Sequence, residues 1–174
     1  AKWDTASNIL KERNIEFHSC RTGGSGNAEQ ITFDACAAGY RKFIAVGGDG
    51  TFRGLYELSK HDVSVVGIPA TIDNDISCTD YCLGYDTAAN TAVEAIDRLR
   101  DTMQSHDRCS VVEVMGHRAG HLALYVGLAT SATAVLVPEK EFDFENDVVP
   151  KTEAIYTMPF VVRQEQTAQN LKWE

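Results

Sequence analysis

The stretch FIAVGGDGTFRGLYELSKHDVSVVGIPATIDND, residues 43–75, decides the fold. Its apolar runs at 43–46 and 63–68 are typical of buried strands, and the segment between them is long enough for a helix. A strand, a crossover helix and a second strand make the βαβ unit of a parallel sheet. Because the polar loops GGDGT (47–51) and TIDND (71–75) each follow a strand, they should line one crevice at the carboxyl edge of the sheet.

The loops carry the residue types that handle phosphate. Glycines on both sides of Asp49 let backbone N–H groups approach a phosphate, and the carboxylate of Asp49 can hold Mg²⁺. Asp73, on the neighbouring loop, is then free to act as the base that accepts a proton from a hydroxyl attacking a γ-phosphate. A third segment, GYDT at 84–87, is expected to be another turn that follows a buried strand. Together these features predict phosphoryl transfer.

Strands and helices continue to alternate on both sides of this unit. The hydrophobic patterns predict helices at 4–14, 28–39, 52–60, 87–104 and 119–129, and strands at 16–20, 43–46, 63–68, 109–114, 134–137 and 156–162. Strands that are apolar on both faces, such as 135–137, indicate a parallel sheet with helices on both sides. We therefore predict an α/β fold, a doubly wound three-layer domain with a mainly parallel sheet.

Single residues add local expectations. Asp4 should cap the first helix, and Gly39 should end the second. Pro159 cannot donate to a sheet ladder, so it should confine the last strand to an edge. The long helix should bury one apolar face, which consists of Ala92, Val93, Ile96, Leu99 and Met103.

Size and charge limit the class of protein. With 174 residues, of which 44% are hydrophobic, the chain can bury one good core, so we expect a single domain over 1–174. A formal charge of −9 argues against a nucleic-acid partner. No run approaches the roughly 18 apolar residues of a membrane helix. Because the first residues also lack the signal-peptide pattern, we expect a cytoplasmic protein without a membrane span. The chain does not begin with Met, so we expect a fragment or a processed product.

Five motifs stand in a defined order along the chain. They are GGDGTFRG at 47–54, GIPATIDND at 67–75, GYDTA at 84–88, VEAIDRLRDT at 93–102 and VVEVMG at 111–116. In this order they resemble the ATP-dependent 6-phosphofructokinase family, from residue 47 to about residue 147. The resemblance implies a kinase that uses ATP and Mg²⁺ to phosphorylate fructose 6-phosphate.

The resemblance also implies roles for single residues. Asp49 would position Mg²⁺, and Asp73 would be the catalytic base on the sugar hydroxyl. The nucleotide contacts would be Gly48, Gly50, Thr51 and Gly54. The sugar-phosphate contacts would be Thr71, Asp75, Arg108, Met115, Gly116 and His117.

Four positions refine this picture. Arg108 precedes a strand of about six residues, which spans about 20 Å, so it should lie at the opposite edge of the sheet from Met115. Its role in substrate binding would then need a neighbouring subunit, and we expect a homo-oligomer. His117 stands where the family has an arginine for the sugar phosphate, and imidazole lacks the two-pronged donor geometry of arginine. Pyrophosphate-using relatives tend to carry Asp and Lys where this chain has Gly50 and Ala70, which favours ATP.

The first 50 residues suggest a different likeness. The segments TGGSGNAE (22–29), AAGY (37–40) and AVGGDGT (45–51) resemble the diacylglycerol kinase catalytic family. We hypothesise a mosaic or engineered hybrid, with a lipid-kinase-like part at 1–50 and a phosphofructokinase-like part at 51–150. The tail at 151–174 matches neither family. The mosaic requires that residues 16–46 pair in the same sheet as residues 63–137.

Three functions therefore stay open. The first is a 6-phosphofructokinase-type phosphotransferase that binds a nucleotide and a sugar phosphate. The second is a lipid or NAD kinase of the same fold. The third is a catalytically inactive fragment or hybrid that binds nucleotide only, because the family's further sugar-phosphate ligands lie outside this chain.

Overall fold

The computed structural model describes residues 2–22, 27–105, 109–148 and 160–164. Its helices are α1 (Lys2–Glu12), α2 (Asn27–Ala37), α3 (Asp49–Leu58), α4 (Tyr85–Gln104) and α5 (His121–Ala129), with a short π-helix at Phe144–Val148. Its strands are β1 (Lys42–Gly47), β2 (Ser64–Pro69), β3 (Ser110–Val114), β4 (Ala134–Leu136) and β5 (Phe160–Gln164). The predicted α/β fold with a parallel sheet is confirmed.

The chain divides into two compact units, Ala1–Phe43 and Ile44–Glu174. In the first unit Gly39, with φ of +93°, ends α2 as predicted. Its N–H and that of Tyr40 donate to the carbonyls of Cys36 and Ala35, which closes the helix. That both units belong to one domain stays a prediction.

Two predictions in the first unit are wrong. Residues 16–20 form no strand, and most of their side chains are exposed. An alternating pattern becomes a strand only where a neighbouring strand accepts its hydrogen bonds, and this segment pairs with none in the described chain. Asp4 does not precede the first helix, because α1 already begins at Lys2.

The predicted βαβ arrangement is present, and it lies in the second unit except for the first two residues of β1. β1 and β2 form a two-stranded sheet, and α3 connects them. The helix packs closely on β2, because a Cβ on Gly67 would lie 2.7 Å from the ring of Phe52. Just past β2, the N–H of Ala70 donates to the carbonyl of Gly47 at 3.0 Å. The carboxyl ends of both strands therefore lie side by side.

A three-stranded parallel sheet follows, in the order β3-β5-β4. Val162 of β5 is fully buried, and it pairs with Val112 of β3 and Val135 of β4. The prediction that Pro159 confines this strand to an edge is wrong, since β5 is the central strand. The described part of this strand is Phe160–Gln164, and Pro159 lies outside the described residues.

The core lies between this sheet and the helices α4 and α5. Its buried members are Tyr85, Ala89, Ile96, Met103, Val114, Leu122, Ala123, Val126 and Val162. The Tyr85 hydroxyl donates to the carbonyl of His121 at 3.1 Å, which ties the first turn of α4 to the first turn of α5. Among the helices of the described ranges, none combines the length and apolar character that a membrane crossing requires.

Candidate active site

The two glycine- and aspartate-rich loops meet at the carboxyl ends of β1 and β2. The hydrogen bond between Ala70 and Gly47 joins the strand ends from which the loops depart. One residue further along each loop, a Cβ on Gly48 would lie 3.5 Å from Cβ of Thr71, an ordinary packing distance. The predicted adjacency of the loops 47–51 and 71–75 is therefore present in the structure.

Three hydrogen bonds fix Asp73. The Thr71 hydroxyl donates to Asp73 Oδ2 at 3.1 Å, and the backbone N–H of Asp73 donates back to Thr71 Oγ1 at 3.2 Å. From the loop that follows β3, the backbone N–H of His117 donates to Asp73 Oδ1 at 3.2 Å. Both carboxylate oxygens are thus engaged, and the carboxylate spans two loops that are 44 residues apart in sequence.

Asn74 organises the loop on the far side of Asp73. Its backbone is left-handed, with φ of +52°, a conformation that asparagine tolerates better than most residues. Its amide Nδ2 donates to the carbonyl of Asp80 at 3.1 Å, and its Oδ1 accepts the N–H of Cys82 at 2.8 Å. The side chain thereby closes residues 74–82 into one compact loop.

Cys82 ends this loop, where its backbone N–H donates to Asn74. Its side chain is buried, and burial raises the pKa of its thiol. A hydrogen bond with the backbone of Ile76 acts in the opposite direction, and the charges of Asp75, Cys78 and Asp73 add smaller increases to that pKa. The Cys82 thiol is therefore shielded from solvent and less acidic than an exposed cysteine.

The first turns of α3 form the other side of the site. Asp49 is the first residue of this helix, and Arg53 Nη2 lies 3.2 Å from its Oδ2. The side chain of Asp49 is 47% exposed. A Cβ on Gly50 or on Gly54 would meet no heavy atom within 4 Å. The helix thus presents an open strip of bare backbone next to a partly exposed carboxylate.

The remaining predicted site residues have different positions. Asp75 is half-buried, Gly116 is buried, and Met115 and His117 are exposed in the loop after β3. Thr51 lies in the first turn of α3, where its Oγ1 would be 2.2 Å from a Cβ on Gly47. Arg108 lies outside the described residues.

The prediction for the segment 84–87 is wrong. Residues 70–84, all of which the structure describes, contain no strand. Gly84 instead takes a positive φ of +102° at the start of α4, and Tyr85 is buried in the core. Asp86 is exposed in the first turn of α4, so it supports the helix rather than the site.

The donor atoms fit a magnesium ion that is shared with phosphate. In the part of the chain that the structure describes, no group of three or more His, Cys, Asp or Glu side chains could hold a metal. Mg²⁺ is commonly bound by one or two carboxylates, with phosphate oxygens and water as its other ligands. The exposed carboxylate of Asp49 meets that requirement.

Two residues of this site have no role in the sequence-based prediction. Asn74 lies within the TIDND motif, and its tolerance of a left-handed backbone is typical of a loop organiser. Arg53 stands four residues after Asp49 on one helix. That spacing was the available signal, because such pairs are neighbours on a helix surface.

Comparison with known proteins then decides the family. The family model described as phosphofructokinase matches residues 1–172. The chain belongs to the phosphofructokinase family. An ATP-dependent 6-phosphofructokinase of Streptococcus pyogenes serotype M5 (strain Manfredo) is 56% identical over 107 residues, which are 62% of this chain and 32% of the relative. This chain therefore spans about a third of the length of the curated relatives it matches.

Solved phosphofructokinases share the fold. A Pichia pastoris phosphofructokinase in the T-state has a TM-score of 0.72 and 28% identity, covering 83% of this chain and 17% of that chain. A Saccharomyces cerevisiae phosphofructokinase has a TM-score of 0.66 and 29% identity, covering 87% of this chain and 24% of that chain. A pyrophosphate-dependent phosphofructokinase of Marinobacter aquaeolei has a TM-score of 0.64 and 26% identity, covering 86% of this chain and 42% of that chain. Both ATP-using and pyrophosphate-using enzymes thus resemble this chain.

The phosphofructokinase match bears on the hypothesis of a mosaic. The match runs through residues 1–50 as well as through the rest of the chain. β1 pairs with β2, but residues 16–20 form no strand. The comparisons therefore support no change of family within the chain.

Proposed function

We propose that this chain supplies the catalytic loops of an ATP-dependent 6-phosphofructokinase, which transfers the γ-phosphate of ATP to a hydroxyl of fructose 6-phosphate. One observation carries the proposal. The carboxylate of Asp73 is held by Thr71 and His117, beside the glycine-rich loop that leads into α3. A general base needs this combination of a fixed orientation and a position next to the phosphate donor.

Asp73 is the proposed base. As the sugar hydroxyl forms its bond to the γ-phosphorus, the proton of that hydroxyl moves to the Asp73 carboxylate, and the bond from phosphorus to ADP breaks. The Thr71 hydroxyl has a single proton, and it donates that proton to Asp73. Thr71 would therefore orient the base, and only its free lone pair is left for a substrate.

Asp49 is the proposed magnesium ligand. When bound, Mg²⁺ neutralises the negative charge of the phosphate oxygens. The backbone N–H groups at the start of α3 can approach the same phosphates, because Gly48 and Gly50 carry no side chains. The open strip at Gly50 and Gly54 leaves room for the rest of the nucleotide.

ATP is the proposed phosphate donor. Gly50 and Ala70 are small where pyrophosphate-using relatives tend to carry Asp and Lys, and the space beside Gly50 is open. A charged side chain at either position would fill the region that a nucleotide needs. Calorimetric titrations with ATP·Mg²⁺ and with pyrophosphate·Mg²⁺ test this choice, and tighter binding of pyrophosphate would contradict it.

The proposed base is tested by Asp73→Ser. General-base catalysis contributes roughly 10²- to 10⁴-fold, so turnover of fructose 6-phosphate should fall by at least about 100-fold while the Kd for ATP changes less than about twofold. Asp97→Ser, at an exposed position on α4, is the matched control and should leave both quantities unchanged. Unchanged turnover in the Asp73 variant would refute the role.

A second candidate is a chain that binds nucleotide without transferring phosphate. It is favoured by His117, which stands where the family has an arginine for the sugar phosphate. Separate calorimetric titrations distinguish the two functions. The kinase predicts heat from both ATP·Mg²⁺ and fructose 6-phosphate, and the second candidate predicts heat from ATP·Mg²⁺ alone. We also propose a cytoplasmic homo-oligomer, in which Arg108 serves the neighbouring subunit.

A further inference from the structure

We propose that Arg53 is a further substrate-binding residue, which binds the phosphate chain of the donor nucleotide. This inference rests on the proposed function, because it needs a nucleotide at the loop 47–51. The guanidinium Nη2 of Arg53 lies 3.2 Å from Oδ2 of Asp49. The side chain therefore extends towards the N-terminal end of α3. Any phosphate oxygen that shares a metal ion with Asp49 would be within its reach.

The surroundings of Arg53 leave it free to change partner. Its side chain is 77% exposed, so it can leave Asp49 without disturbing the packing of the helix. Gly50 lies three residues before Arg53 and Gly54 directly follows it, and a Cβ on either would meet no heavy atom within 4 Å. A ligand along this strip would approach the guanidinium with no intervening side chain from either position.

The charge of the site requires a cation at this place. Asp49, Asp73 and Asp75 bring three carboxylates to the two loops, and the whole chain has a formal charge of −9. A triphosphate adds more negative charge, which the carboxylates repel unless cations lie between them. Arg53 supplies a fixed positive charge in addition to that of the metal ion.

The two possible partners of Arg53 differ in strength. An exposed ion pair between residues four apart on a helix contributes little, because water and salt screen it. Arg53 makes a single contact with Asp49, between Nη2 and Oδ2, whereas a guanidinium can bind a phosphate through two parallel charge-assisted hydrogen bonds. Exchanging Asp49 for a phosphate therefore favours the nucleotide. The exchange also frees an oxygen of Asp49 for the metal ion.

The competing explanation is an ion pair that only stabilises the helix, and α4 contains a matched control for it. Arg98 pairs with Glu94 at the same spacing, and its side chain is 78% exposed. This pair lies in the middle of α4 rather than in a first turn next to a glycine-rich loop. Removing Arg98 thus reproduces the loss of an exposed ion pair without touching the proposed site.

The test is calorimetry on the full chain with ATP·Mg²⁺, ADP·Mg²⁺ and AMP. For Arg53→Ala the Kd for ATP should rise about tenfold, which corresponds to ~1.4 kcal/mol. The rise in Kd should be smaller for ADP and less than about twofold for AMP, because the contact is to the outer phosphates. Arg53→Lys should lose less affinity for ATP than Arg53→Ala, since lysine keeps the charge but not the two-pronged geometry. Arg98→Ala should match the wild type for all three ligands.

Each other outcome overturns the assignment. If the Kd of Arg53→Ala rises equally for ATP and AMP, Arg53 contacts the base or the ribose instead of the outer phosphates. If Arg53→Ala binds the nucleotides like Arg98→Ala, the ion pair of Arg53 is purely structural. Thermal melts followed by circular dichroism show whether both alanine variants fold. If Arg53→Ala does not fold, the Kd values of Arg53→Lys are used in its place. If the wild type binds ATP and Arg53→Ala binds it with the same Kd, only this assignment is refuted. A wild type that binds none of the nucleotides refutes the proposed function as well.

Discussion

Replacing Gly54 by alanine should make the protein more stable and, at the same time, a poorer binder of ATP. Gly54 lies in the interior of α3 and is exposed, and an added Cβ would meet no heavy atom within 4 Å. Because glycine in a helix is about 0.5–1 kcal/mol less favourable than alanine, the free energy of unfolding should rise by that amount. For a chain of this size the melting temperature should rise by roughly 1–4 °C.

The effect on binding has the opposite sign. The proposed nucleotide lies along the bare strip at Gly50 and Gly54, where a methyl group would take up space that the ligand needs. Overpacking of a close contact costs about 1–3 kcal/mol, so the Kd for ATP·Mg²⁺ should rise roughly 5- to 150-fold. Thermal melts and calorimetry on the same preparation measure both quantities.

The reverse substitution on another helix is a control that separates the effect on stability from the effect on binding. Ala95→Gly, at an exposed position of α4, should lower the free energy of unfolding by about 1 kcal/mol and leave the Kd for ATP unchanged. The reasoning is refuted if Gly54→Ala binds ATP within about twofold of the wild type. A fall in its melting temperature would show that the space beside Gly54 is not open.

Three further predictions concern packing, thiol reactivity and the sugar phosphate. A Cβ on Gly127 would lie 2.3 Å from Cγ2 of Val135, so Gly127→Ala should lower the free energy of unfolding by about 1–3 kcal/mol in urea titrations; an unchanged midpoint would contradict this packing. Cys82 is 3% exposed and burial raises its thiol pKa, so iodoacetamide should alkylate the exposed Cys78 well before Cys82. Mass spectrometry checks the order of alkylation, and equal rates would show that the loop opens readily. His117→Arg should tighten binding of fructose 6-phosphate about tenfold in calorimetry, because a guanidinium offers two donors where imidazole offers one. Unchanged binding would mean that residue 117 does not contact the sugar phosphate.

Local pattern predicted the order and type of most elements. The unit β1–α3–β2 and the helices α2, α4 and α5 lie within a few residues of their predicted bounds, because apolar periodicity is a property of neighbouring residues. The buried face of α4 was predicted only in part. Ile96 and Met103 are buried as expected, whereas Leu99 is 47% exposed, and Ala89, which the prediction omitted, is buried.

Pairing was the part that local pattern could not predict. Residues 16–20 look like a strand but have no partner in the described chain, and β5 lies between β3 and β4 although its preceding proline suggested an edge. A strand is defined by hydrogen bonds to residues distant in sequence, so its place in a sheet depends on the rest of the fold.

The candidate site divides in the same way. The sequence by itself determined which loops carry glycine and aspartate and which strand ends they follow, since both are features of contiguous residues. Only the tertiary structure decided that Asp73 is held by Thr71 and by the backbone of His117, and that the Asn74 side chain closes its loop onto Cys82. These contacts join residues that are between 2 and 44 positions apart. Their geometry follows from how the strand ends pack together, which no window of sequence contains.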